Sequence, residues 1–146
     1  MAVTSTIFNR FRYLVGNKKV DFAADTFKAV LVPVGFVQAI DTQGLLADLT
    51  AGNAPIAANL TTAAVTLATQ TFTEDDASDR SKFSSATIEF VATGAVSAIG
   101  AIIYDDTVVA PDADALATYI AFGETKTLAT GEKLQITCPA TGWLTI

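Results

Sequence analysis

The sequence predicts a mainly β protein: a single-domain antiparallel β-sandwich or barrel, jelly-roll or immunoglobulin-like in plan, with a short N-terminal helix and one long irregular loop. Three observations lead there. Short stretches rich in β-branched and apolar residues recur along the chain, separated by turn residues at fairly regular spacing. No helical pattern alternates with them, which argues against a parallel α/β sheet. The most apolar run, Gly94 to Thr107, is apolar at both parities. Ile99, Ala101 and Ile103 fall on one side of an extended chain, Ile102 and Tyr104 on the other. A strand apolar on both faces belongs in the middle of a covered sheet, so this run is expected to be the central strand.

Size and composition bound the rest. The 146 residues suit one domain, 1–146, with a core that needs no disulfide or metal. The lone cysteine, Cys138, has no internal partner and reads as a small buried hydrophobe. A net charge of −6 disfavours nucleic acid and anionic membrane as partners of the body of the protein. Against that balance, Arg10, Arg12, Lys18 and Lys19 put four of the nine basic residues into one short segment. Apolar residues make up 51% and charged residues 16%, below the roughly 25% charged of an average domain. That points to surface buried against copies of the chain or a partner, although alanine supplies much of the excess. No run approaches the roughly 20 apolar residues of a membrane helix. Arg10 and Arg12 interrupt the N-terminal apolar segment, which is wrong for a signal peptide. The chain is therefore expected to be soluble and made in the cytoplasm.

Taken in order, residues 1–19 form an N-terminal arm. Ile7, Phe11, Leu14 and Val15 fall at helical spacing, which predicts a helix over Val3–Val15 with Ser5 as N-cap and Gly16-Asn17 as its stop. Lys18 to Phe22 reads as a short extended piece. Phe27 to Val32 predicts a strand closed by Pro33 and Gly35, with Phe27, Ala29 and Leu31 on one face. Residues 34–59 are the long loop, in which only Leu45, Leu46 and Leu49 fit a helical turn or two. Ala63 to Thr73 predicts a strand with Val65 and Leu67 inward, and Glu74 to Arg80 an acidic turn. Extended structure resumes over Lys82–Ala92, making a hairpin about that turn. Asp105 to Ala115 is a solvated loop. Leu116 to Phe122 is the next strand, ended by Gly123 and paired with the central one. Thr125–Leu128, Lys133–Thr137 and Trp143–Ile146 complete the sheet and tie in the C-terminus.

The chemistry-bearing residues are sparse. With no histidine, the commonest general base, the Ser-His and Cys-His pairs and the usual zinc sites are all missing. Cys138 has only Lys133 near it in sequence, too little to support a thiolate. Asp75-Asp76 and Asp105-Asp106 are adjacent in sequence, so strand geometry points each pair to opposite faces and not at one substrate. Asp75, Asp76 and Asp79 are the best candidates for a calcium ion, but their spacing is not that of an EF-hand. No phosphate-binding glycine pattern opens a helix. No enzyme activity and no cofactor are expected.

Several blocks together resemble a family of small β-rich structural proteins of tailed bacteriophages, most closely the capsid decoration (cement) proteins. They are Phe8 to Gly16 leading to Asp25-Thr26-Phe27-Lys28-Ala29-Val30-Leu31-Val32; Leu45-Leu46-Ala47-Asp48-Leu49; and Thr73-Glu74-Asp75-Asp76 with Asp79-Arg80. Gly100 to Thr107 and Tyr119-Ile120-Ala121-Phe122-Gly123 follow in the same order. The chain departs from the family where Ala121 replaces a usual Asp, and where residues 34–59 are less polar. The resemblance implies a virion component without catalysis, located on the capsid surface. It would bind the major capsid protein and reinforce subunit contacts. A homotrimer at local three-fold positions fits such a shell, where identical copies meet on rotation axes. The expected contact residues are Phe8, Arg10, Phe11, Arg12, Lys18 and Lys19 of the arm, with Leu45 and Leu46 of the loop. Thr- and Ala-rich strand faces such as Ala63 to Thr71 would pack between copies. A different class, a tail- or fibre-associated module recognising a host-surface glycan, requires exposed aromatics, for which Tyr119 and Trp143 are the candidates.

Overall fold

The computed structural model describes residues 4–146, and all the strand pairing among them is antiparallel. The elements are β1 (Thr4–Ile7), α1 (Asn9–Gly16), β2 (Phe27–Pro33), β3 (Ala64–Thr66), β4 (Thr71–Asp75) and β5 (Arg80–Ser84). They continue with β6 (Ile88–Val91), β7 (Val96–Asp105), β8 (Ala115–Leu128), β9 (Lys133–Ile136) and β10 (Leu144–Thr145). A five-stranded sheet runs β1-β8-β7-β2-β3, a three-stranded sheet β10-β5-β4, and β6 pairs with β9. The fold is a mainly β, sandwich-like single domain.

β7 is the middle strand of the larger sheet, as its two apolar faces require. On one face Ala101 and Ile103, with Phe27, Ala29 and Leu31 of β2, join Phe83 of β5 and Trp143 and Leu144 at β10. Phe90 of β6 and Leu134 and Ile136 of β9 close the same core. On the other face Val30, Val32, Ile102, Tyr104, Leu116 and Tyr119 lie beneath Phe36 and Leu49 of the long loop. Ile99 changes sides relative to strict alternation: it packs with Ile102 and Tyr104, not with Ala101. The register shift between Ala98 and Gly100 is the cause, because one extra residue reverses the parity of everything before it.

Several elements differ from the sequence expectation. The helix does not begin at Val3, which lies outside the described residues. Thr4–Ile7 is instead strand β1, in register with Ala121 to Thr118 on the edge of β8, so Ser5 faces Ile120 as a strand residue and caps nothing. A β-branched run beside an open edge gains a ladder there that four residues of helix cannot match. The helix N-cap is Phe8, without a side-chain cap. Lys18–Phe22 forms turns, and Phe22 inserts as an anchor, stacking on Phe27 at 5.8 Å and on Phe72 at 4.4 Å between ring centroids. Ala63–Thr73 divides between two sheets at Leu67–Gln70, where Thr69 is left-handed at φ 54°. Residues 82–92 divide likewise, at Ser85–Thr87. Asp105 is the last residue of β7, not the first of a loop. β8 runs on past Gly123 to Leu128 and absorbs the separate Thr125–Leu128 strand.

The hairpin about the acidic turn forms as expected, with Thr71 opposite Ser84 and Asp75 opposite Arg80. The C-terminus is tied in, since Ser81 and Ile146 exchange backbone hydrogen bonds at 2.9 and 3.0 Å. Loop 34–59 carries 3₁₀ turns at Leu46–Asp48 and Ala51–Asn53. Cys138 is half-buried against the main core.

Candidate interaction surface

α1 has one inward stripe. Phe11 and Leu14 are buried, which turns Arg12 and Tyr13 outward, Tyr13 with 60% of its surface exposed. The helix ends in a Schellman arrangement. Lys18 N–H donates to Val15 O at 3.1 Å and Lys19 N–H to Leu14 O at 3.0 Å, with Lys18 left-handed at φ 56°. Glycine is favoured at that position; here a lysine occupies it, and Gly16, the residue expected to stop the helix, is still helical. Asn17 adds a side-chain bond from Nδ2 to Tyr13 O at 2.8 Å. The turn thereby sets Lys18 and Lys19 in solvent beyond the helix end.

The expected contact residues separate into two groups. Arg12, Lys18 and Lys19 are exposed and form no ion pair among the described residues. Arg12 also borders a largely apolar groove of about 390 Å³ whose walls include Ile7, Val15, Thr145 and Ile146. The other residues make contacts within the chain, although Arg10 remains exposed. Phe8 and Phe11 are fully buried, in the loop-side and main cores respectively, and Phe11 also forms part of the floor of that groove. Their helical spacing reflects burial rather than a docking stripe. Arg10 pairs with Asp112, its Nε 2.9 Å from Oδ1, and lies so close over Gly44 that a β-carbon there would meet the Arg10 Cβ at 3.0 Å. It fastens the helix to two loops. Leu46 packs half-buried against the loop-side core, and Leu45 makes a backbone bridge to Ala115. Asp48 Oδ2 accepts the N–H groups of Gly44 and Leu45 at 2.9 and 2.8 Å, which fixes this turn.

The remaining candidates are settled by their contacts. Asp75 accepts from Arg80 Nε at 3.2 Å, and among the described residues no group of three or more His, Cys, Asp or Glu converges as a cation site. Tyr119 and Trp143 are buried, Trp143 donating from Nε1 to Ser85 Oγ at 2.8 Å. They form no exposed platform for a sugar. Among the described residues no helix is long and apolar enough to cross a membrane.

Two features escaped the sequence. Tyr13 belongs to the outward face of α1, and its position off the apolar stripe was the available signal. Asp105, fully buried at the end of β7, was masked by reading the Asp pair as the start of a loop. Burial, with the Asp25 carboxyl beside it, raises Asp105 to about 7, partly offset by the Thr107 and Val108 N–H groups. Comparison of the chain with family models, with characterised proteins and with solved structures found no match.

Proposed function

We propose that the protein is a virion structural component, a capsid decoration protein that docks on the shell of a tailed bacteriophage through α1 and the turn that follows it. The resemblance of the sequence blocks supplies the class. The observation that supports the docking face is that Arg12, Lys18 and Lys19, close in sequence, are exposed and without ionic partners among the described residues, in a chain of net charge −6. Lys18 adds weight, because a side chain is kept at a backbone position that glycine would occupy with less strain. The partner surface that complements this patch is acidic, with an apolar residue for the groove beside Arg12.

Undecorated capsids test this. Purified protein should co-sediment with shells, and the triple variant R12E/K18E/K19E should lose at least tenfold in affinity while melting within a few degrees of the parent. Equal binding by the charge-reversed protein would sink the assignment of this face. Failure of the parent to bind shells would sink the decoration role. The mass in solution reports separately on the proposed homotrimer.

A further inference from the structure

The end of the central strand holds a carboxyl group that no cation satisfies. Asp105 is fully buried; its Oδ1 accepts the Thr107 N–H at 2.9 Å, and its Oδ2 has no hydrogen-bond partner among the described residues. An orphaned buried carboxylate oxygen is costly. The group facing it is another carboxyl, Asp25, on the turn between α1 and β2. Asp25 is itself held in place: its Oδ2 accepts the Asp21 N–H at 2.7 Å, and its backbone carbonyl accepts Gln70 Nε2 at 2.8 Å. A backbone bond from Asp106 N–H to Thr26 O and a bond from Thr26 N–H to the Thr107 hydroxyl Oγ1 lock turn and strand end together.

Of the other charged groups nearby, all but Lys19 have contacts of their own. Lys28 of β2 pairs with Asp106 at 2.8 Å, and Asp114 sits beside that pair. Asp112 is held by Arg10. Asp21 accepts the N–H groups of Ala23 and Ala24. Lys19 shares a cleft with Asp25 and Asp112 whose other walls are Thr107, Val108, Val109, Ala110 and Pro111. A hard cation at Asp105 would need six or more oxygens, which that largely apolar wall does not offer. One proton satisfies the orphan with no further ligand.

We propose that Asp105 keeps a proton on its unpartnered oxygen and donates it to the Asp25 carboxyl, forming a pH-sensitive latch that holds the Asp21–Thr26 turn against the end of the central strand. With the proton in place the pair is a carboxylic acid hydrogen-bonded to a carboxylate. Without it two carboxylates face each other beside the buried strand end, and the turn is pushed off the strand.

The direction of the effect is opposite to ordinary acid denaturation. The folded state keeps a proton that the unfolded chain releases at the usual carboxylate pKa, so stability falls as pH rises from about 4 to 7. With no histidine in the chain, no imidazole titrates in that window, and Asp114 is another carboxyl raised toward it. Thermal melts and denaturant titrations of the full chain at pH 5, 6, 7 and 8 test this. The unfolding equilibrium constant should rise by up to about tenfold per pH unit below pH 7. D105N, whose amide keeps both contacts uncharged, should remove most of that slope, and D25N only part of it, because burial still raises Asp105 without the Asp25 charge. D114N should leave most of it, although Asp114 is also raised, chiefly by burial. Should D105N not fold, a carboxylic-acid carbonyl band in the infrared spectrum of the parent at pH 6, shifted in frequency in D25N as its hydrogen-bond acceptor changes, reads the same proton. A parent whose stability is flat or rises from pH 5 to 7 would overturn the latch. So would a slope unchanged in both variants. Stabilisation of the parent at pH 8 by calcium, lost in D105N, would overturn it in favour of a cation.

Discussion

Gly100→Ala separates a general rule from this structure, because the two predict opposite signs. Gly100 is not among the glycines of positive φ, so alanine fits its backbone. On that ground alone the substitution stabilises by about 0.4–1 kcal/mol, through the unfolded chain. The surroundings reverse this. A β-carbon at Gly100 would lie 2.5 Å from Tyr119 Cε2, 2.6 Å from the Ile120 carbonyl oxygen and 2.9 Å from the Tyr119 hydroxyl. The tyrosine ring can tilt, at the expense of its contact with Phe36 at 4.9 Å between centroids. The Ile120 carbonyl cannot move alone, since it belongs to β8, where Ile120 is opposite Ala101 and Ala121 opposite Gly100.

Overpacking a well-filled core costs about 1–3 kcal/mol, and losing an aromatic pair about 0.5–1.5 kcal/mol more. Set against the backbone gain, the net is a loss of about 0.5–4 kcal/mol. For a chain of this length each kcal/mol moves Tm by about 2–4 °C, so a fall of roughly 1–16 °C is expected. Urea unfolding should show a lower midpoint at unchanged slope, the sign of lost stability without a change in compactness. Adding Tyr119→Ala should not restore the parent, because the carbonyl contact remains. A Gly100→Ala protein that melts at or above the parent would refute the packing argument.

Two further substitutions test other parts of the structure. Trp143→Ala should cost about 3–5 kcal/mol by emptying the largest fully buried side chain, and Trp143→Phe much less, since it loses mainly the bond to Ser85; circular dichroism melts give both. Lys18→Gly should raise stability by up to about 1 kcal/mol by relieving the left-handed lysine, yet weaken capsid binding, so a melt and a co-sedimentation on one sample should move in opposite directions.

What could be read from the sequence was whatever local pattern dictates. β7 was legible because a two-sided apolar run has one comfortable place in a sheet, and the β4–β5 hairpin because its turn is dense in Asp and Ser. What escaped depended on distant partners. Thr4–Ile7 is too short to show a period of its own, and it becomes a strand only because β8, more than a hundred residues on, leaves an edge beside it. Ile7, Phe11, Leu14 and Val15 then mimic one helical stripe across a strand–helix junction. The face occupied by Ile99 turns on a bulge that residue types do not announce. For the candidate surface, the charges were legible and the aromatics were not. Arg12, Lys18 and Lys19 are where a solvated cation must be, whereas Phe8 and Phe11 differ from exposed anchors only through the core that covers them.

The two faces of β7 are covered by different kinds of structure, and that difference constrains where a partner can dock. One face is closed by paired strands, β5 with β10 and β6 with β9, whose ladders hold them in place. The other is closed by residues 34–59, which contain only short 3₁₀ turns and depend on Phe36, Ile40, Leu46 and Leu49 being inward. If that segment swung out to meet a partner, Val30, Val32, Ile102 and Tyr104 would meet water, at a cost of about 1.5–3 kcal/mol for each large apolar side chain exposed. A docking contact made by the leucines of this loop would therefore have to repay the uncovering of the sheet before it contributed anything. Arg12, Lys18 and Lys19 carry no such penalty, because nothing in the core rests on them. This asymmetry, more than the charge itself, favours the helix and its following turn as the contact element and gives the loop the role of a roof.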